Sequence, residues 1–175
     1  MRLIPLLLLL PAASIPLRAQ AGPYPDLLAD WQRNRTAVLA YIDAMPDSAT
    51  GFHPTPGVRT FAQQVKHVAA VNYLVFATVL GEKPPVDTGE ENGPASIKSK
   101  AEITKFLRDS FAYGHRALAT LTPENSVAPI DSPFGKDKVT RLGMATLIIG
   151  HCFDHYGQMV LYLRMNGIVP PASRK

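Results

Sequence analysis

The stretch "HCFDHYGQ", residues 151 to 158, sets two histidines four positions apart. On a helix, residues at that spacing stand one above the other on the same face, with Cβ atoms about 5–6 Å apart. His151 and His155 can therefore converge on one point. Two imidazoles so placed are a common way to hold a metal ion. Their surroundings are apolar: "GMATLIIGHCFDHYGQMVLYLRM" is the most hydrophobic run outside the N-terminal segment. A buried imidazole must find partners for its ring nitrogens, and two at this spacing are harder to explain as packing than one. From the pair alone, a metal site and a satisfied core pair both stay open.

His67 is the third candidate. It sits at the border of the apolar face of a second helical segment, seven residues from that segment's cap. In a helix bundle, metal sites are built from side chains on facing helices. Three histidine ligands leave coordination positions free for water or substrate, as in catalytic rather than closed structural sites. Neutral imidazoles suit Zn, Ni, Cu or Fe(II) without choosing among them. A divalent cation held this way lowers the pKa of a bound water or thiol and polarises a carbonyl. His53 and His115 do not belong to the set. The first precedes Pro54 in a loop, and the second falls beside Arg116, off the apolar stripe.

Two rival motifs fail on their own chemistry. "HCFDH" is not HExxH: Cys152 stands where a zinc protease keeps its general-base glutamate. A carboxylate-bridged di-iron bundle needs Glu-x-x-His pairs, and the chain has none. Cys152 points about 100° away from His151 on the helix and is a poor fourth ligand. Asp154 reads as a surface or outer hydrogen-bonding group, Gln158 as a ligand-supporting or helix-contact group, and Gly157 as a point of close helix approach.

Four helices are expected to carry these residues. Leu27, Leu28, Trp31, Val38, Leu39, Ile42 and Met45 recur at three-and-four spacing from Pro25 to Met45, before Pro46. The second helix opens at Thr60, with Gln63 completing a capping box, and runs to Leu80 before Gly81. Its buried face takes Val71 or Asn72. The third opens at Ser99 with Glu102 as its box partner and ends by Pro123. The fourth runs from near Thr140 to Asn166, with Met144, Leu147, Ile148, His151, His155, Met159 and Tyr162 inward. Being apolar nearly all round, it is expected to pack on several sides. Residues 124–139 are irregular, with "SPFGKDKV" suited to a short hairpin or an extended crossing. No segment reads as a long strand, so the fold class is all-α, a four-helix bundle with long connecting loops.

The N-terminus reads differently. Arg2 precedes the uncharged run "LIPLLLLLPAASIPL", and "AQA" closes it as a small-x-small cleavage site. Residues 1–21 are expected to be a secretory signal peptide, leaving a domain over 22–175 in a secreted or periplasmic protein. The apolar run is broken by three prolines and is too short for a stable membrane anchor. Cleavage removes Arg2 and Arg18, leaving 16 basic and 14 acidic residues, a net charge of +2. No basic cluster denser than "RNR" at 33–35 appears, which argues against a nucleic-acid partner. Cys152 is the single cysteine, so no internal disulfide can form, and its apolar context favours burial.

Taken in order, two long segments resemble the DinB-like family of metal-dependent proteins. "FHPTPGVRTFAQQVKHVAAVNYLVFATVLGEKPP" is similar to the family's first-histidine helix and its exit. "HCFDHYGQMVLYLRMNGIVPP" is similar to its last helix, with the two histidines, Gly-Gln and the Pro-Pro ending. The resemblance covers nearly all of 22–175. It implies an antiparallel bundle, often a homodimer, with a divalent metal on positions matching His67, His151 and His155. Characterised branches are thiol-dependent S-transferases and a mycothiol-dependent isomerase, and many members have no known activity. The expectation is an exported metal-dependent hydrolase or thiol-type transferase acting on a small-molecule substrate. The alternative is a non-catalytic, metal-stabilised binding or stress-response module.

Overall fold

The computed structural model describes residues 24–175; the expected signal peptide, residues 1–21, lies outside them. Four long helices dominate: α1 (Pro25–Ala44), α2 (Phe61–Leu80), α3 (Lys100–Ala119) and, after the one-turn helix α4 (Pro123–Ser126), α5 (Arg141–Met165). A two-stranded antiparallel ribbon, β1 (Pro129–Asp131) and β2 (Lys138–Thr140), pairs Ile130 with Val139. Of the two forms expected for "SPFGKDKV" it is the hairpin, though its first strand lies just before that segment, and it closes just before α5. The one-turn α4 was not expected. Thr122 caps it, with Asn125 as the reciprocal partner.

The helix boundaries follow the capping chemistry. Thr60 accepts from the Gln63 amide at 3.1 Å while the Gln63 side chain accepts from Thr60 N–H at 2.8 Å. Ser99 and Glu102 form the same box at α3. α2 ends at Gly81, whose φ of 72° is left-handed, a conformation glycine adopts without Cβ strain.

The bundle is a closed ring in the order α1, α3, α2, α5, each helix packing on two neighbours. Its directions differ from the simple antiparallel arrangement expected. α1 and α3 are antiparallel: Lys100 at the start of α3 donates to Met45 O at the end of α1, and Trp31 meets Phe111. α2 and α5 are antiparallel as well, since Phe61 packs on Tyr162 while Arg141 donates to Val79 O. The other two faces are parallel. Tyr73 meets Phe106, and Glu82 accepts from Tyr113, so α2 and α3 advance together. Asn34 reaches Ile149 O and Tyr41 meets Tyr156, so α1 and α5 also advance together. The connection over 81–99 is long enough to return the chain to its starting end before α3 begins. This is what a parallel neighbour requires and a tight turn cannot supply.

An aromatic cluster forms where α1, α2 and α3 meet. Trp31 packs against Phe76 and Phe111 with ring centroids 4.9 and 4.6 Å apart, and its indole N–H donates to Phe111 O at 2.9 Å. Gly114 makes this possible: a Cβ there would lie 2.4 Å from Phe76 and 2.5 Å from Trp31. Between Val71 and Asn72, Asn72 takes the fully buried position. It donates to Ser110 Oγ and accepts from the Cys152 thiol. Cys152 is buried as expected, and burial pushes its thiol pKa up.

α5 corrects one expectation. Leu147 faces outward, as do Phe153, Leu161 and Met165. A ring of four gives α5 only two neighbours, so its outer face stays open despite its composition. Gly157 is also exposed, and no atom lies near its absent Cβ, so it does not mark the close helix approach expected of it.

Candidate metal centre

The α2–α5 seam brings the three candidate histidines together. His67 lies two turns after the α2 cap and faces α5. His151 and His155 lie on successive turns of α5, whose start is fixed by Thr140 accepting from Gly143 N–H at 3.0 Å. One ligand atom from each histidine lies within 4.8 Å of the others. His151 Nε2 is 3.2 Å from His67 Nε2 and 2.9 Å from His155 Nε2. The ring centroids are 5.2, 4.9 and 4.3 Å apart. His155 is buried, and the other two are half-buried. His53 and His115 are exposed, away from the cluster, as expected.

Hydrogen bonds around the rings constrain where their protons sit. His67 Nδ1 lies 2.7 Å from Glu91 O. A carbonyl oxygen only accepts, so Nδ1 carries the proton and Nε2 presents its lone pair. The loop that supplies this carbonyl is seated on α2. Gly93, at φ 73°, packs where a Cβ would meet Lys66 Cβ at 2.7 Å, and Lys66 donates to Pro94 O at 2.8 Å.

His155 is tied to a chain of amides. Gln64 Nε2 lies 2.5 Å from both His155 Nδ1 and Gln158 Oε1, and Gln158 Nε2 donates to Asp154 Oδ2 at 2.9 Å. An ionised Asp154 only accepts, so it orients Gln158 and through it Gln64. In that state Gln64 donates to His155 Nδ1, and His155 Nε2–H donates to His151 Nε2. His151 then holds its proton on Nδ1, the buried ring nitrogen with no hydrogen-bond partner.

This arrangement leaves a specific conflict. The Nε2 lone pairs of His67 and His151 face each other at 3.2 Å with no proton available to join them. Protonation is an expensive remedy. Burial, then the charge of His155, lowers the His151 pKa to about 3. Burial, then the charge of His67, lowers that of His155 to about 4. Burial lowers His67 as well. A cation at the convergence resolves the conflict without protonating a ring. Nitrogens held 2.0–2.1 Å from a tetrahedral metal stand about 3.3 Å apart, close to the separations observed. His67 already presents the right tautomer. His155 reaches it when the Gln64 amide turns its oxygen to Nδ1, which frees Gln158 from the exposed Asp154.

The sequence reading had marked Gln158 and Asp154, and the structure joins them in this chain. It missed Gln64, Glu91 and Arg59. Gln64 was legible in principle: it lies three residues before His67 on the same face, and it is buried to 1% exposure. Glu91 acts through a backbone carbonyl, which no side-chain pattern reveals. Arg59 sits just before the α2 cap, its guanidinium on Glu91 Oε1 and Asn92 Oδ1, its carbonyl accepting from Tyr162 OH at 2.6 Å.

Comparison with known proteins places this geometry. The profile described as the DinB superfamily matches residues 30–159. No curated protein matches the chain significantly. Solved structures share the fold. A DinB-like protein from Bacillus cereus aligns with a TM-score of 0.70 at 20% identity, covering 83% of this chain and 93% of that one. A DinB-like protein from Bacillus subtilis aligns at 0.66 and 17% identity, covering 86% and 99%. YfiT from Bacillus subtilis aligns at 0.63 and 16% identity, covering 91% and 94%. It is described as a probable metal-dependent hydrolase with an unusual four-helix bundle topology.

Proposed function

Since the chain belongs to the DinB superfamily, we propose that it is a metal-dependent hydrolase or thiol-type transferase acting on a small molecule. His67, His151 and His155 hold its single divalent cation. One observation carries the reading: three ring nitrogens converge within 4.8 Å of one another, and with the amides as placed two of their lone pairs face each other. The description of YfiT as a probable metal-dependent hydrolase supports the same reaction class. A bound divalent cation would supply an acidified water or thiol and a polarised carbonyl. The chain's own residues do the rest. Glu91 O fixes the His67 ring, the Gln64–Gln158 pair fixes that of His155, and the buried α2–α5 seam limits access of water.

The experiment is elemental analysis of protein purified without a histidine tag. Near-stoichiometric Zn, Ni or Fe that falls to background in His151→Ala supports the reading. Absence of metal in the parent protein, with unchanged melting in the variant, overturns it. A panel of hydrolysis and thiol-transfer substrates then separates the two reactions. Inactivity throughout, combined with a large fall in melting temperature on chelation, favours the non-catalytic alternative.

Export belongs to the same proposal, resting on the sequence of residues 1–21. Among the described residues no helix is long and apolar enough to cross a membrane. A mature N-terminus at Gly22 in the secreted or periplasmic fraction is the expected result. We also expect a homodimer, to be checked by light scattering, and no affinity for nucleic acid.

A further inference from the structure

A cleft of about 590 Å³ lies at the start of α2, and among the described residues Arg59 is the only cationic one lining it. It shares Gln64 with the histidine cluster. One wall is apolar, from Val58, Leu161 and Met165, all substantially exposed. Another is polar, from the amides of Gln63, Gln64 and Gln158. The volume suits a small organic ligand.

We infer that this cleft takes a small molecule bearing a carboxylate on an apolar body, with Arg59 seating the carboxylate. The inference rests on the proposed metal centre, which would act on the ligand held beside it.

Three observations carry it. First, the Arg59 side chain is 22% exposed, while that of its partner Glu91 is 80% exposed. An ion pair whose acidic half stands in water contributes little, so an incoming carboxylate can replace Glu91 at small cost. The guanidinium fork matches a carboxylate in two-point geometry, and Glu91 already shows that a carboxylate fits there. Second, Arg59 is fixed at its backbone by Tyr162 and at its head by Asn92, so little ordering is needed on binding. Third, Arg59 is joined to the histidine cluster. Its guanidinium holds the side chain of Glu91, whose backbone carbonyl accepts from His67 Nδ1. A single arginine with a glutamate at its side favours a monoanion over a phosphate dianion.

The test uses hexanoate, its neutral analogue hexanamide and inorganic phosphate, titrated by NMR into the mature protein with and without Zn²⁺. Hexanoate should bind about tenfold more tightly than hexanamide in both forms, the scale of one charged hydrogen-bonded contact. Arg59→Gln should erase that preference. Glu91→Gln should strengthen hexanoate binding several-fold by vacating the guanidinium, and it tests the same seat should Arg59→Gln fail to fold. Equal binding of hexanoate and hexanamide overturns the inference. So does a preference that survives Arg59→Gln, or phosphate binding as tight as that of hexanoate. A hexanoate preference seen only with Zn²⁺ and unaffected by Arg59→Gln would put the carboxylate on the cation, which also overturns it. Zn content of the same samples separates the two readings. Arg59-dependent binding in a protein that takes up no metal would sink the metal centre and leave the carboxylate seat standing.

Discussion

Two triads of rings sit in this bundle at nearly the same spacing and obey opposite rules. Trp31, Phe76 and Phe111 meet at centroid distances of 4.9 and 4.6 Å, and their single polar atom is satisfied by a backbone carbonyl. His67, His151 and His155 meet at 4.3 to 5.2 Å, but each ring brings two nitrogens that demand partners. The aromatic triad is stable as it stands, because edge-to-face contact needs no further group. The imidazole triad is held in place by elements around it while its centre stays unsatisfied. The first arrangement serves stability. The second stores a preference for something else to bind.

The sharpest way to break this contrast is His155→Ala, which should reduce metal content to background while the protein stays folded, read by elemental analysis beside circular dichroism. Retention of metal would mean the imidazole triad is mere packing. Gln64→Leu comes next. Losing the group that orients His155 should weaken metal affinity about 10–100-fold, measured by competition with a chelator. An unchanged affinity would remove the amide chain from the site.

The aromatic triad should respond in the other currency. Gly114→Ala would gain helix propensity of about 1 kcal/mol, but its Cβ collides with rings rather than flexible side-chain ends. Overpacking of this kind costs about 1–3 kcal/mol, so a lower melting temperature is expected with metal affinity intact. A raised melting temperature would show that the aromatic seam yields.

A further contrast is pH dependence in the metal-free protein. The histidines hold folded pKa values lowered toward about 3 and about 4, from an ordinary 6.5. The unfolded chain therefore binds more protons across that window, and stability present above pH 6.5 is lost as pH falls toward 4. Urea midpoints at pH 7.5 and 5 should differ, and the difference should shrink in His151→Ala. An equal slope in that variant would place the acid sensitivity elsewhere.

The sequence made the histidine cluster and the helix starts legible because the main signals are local. Four-residue spacing aligns His151 with His155, and a threonine or serine three before Gln or Glu marks a helix start. The directions of the helices were not legible. Parallel α2 and α3 depend on how a 19-residue connection returns, and no periodicity records that. The outward turn of Leu147 escaped for a related reason. Hydrophobicity names the residues able to be buried, while the number of neighbours decides which are. Glu91 was invisible because its contribution is a peptide oxygen, common to every residue type.

The ring order α1, α3, α2, α5 has a consequence for the growing chain. The first two helices made lie on a diagonal and share little beyond the central meeting of Trp31 and Phe76. Residues 24–80 therefore have no helix–helix interface of their own to close over. A lasting core must wait for α3, which touches both, and the imidazole seam must wait for α5. Formation of the histidine cluster is thereby tied to synthesis of α5, and truncation before it should leave a product that keeps the Trp31 core but lacks the seam.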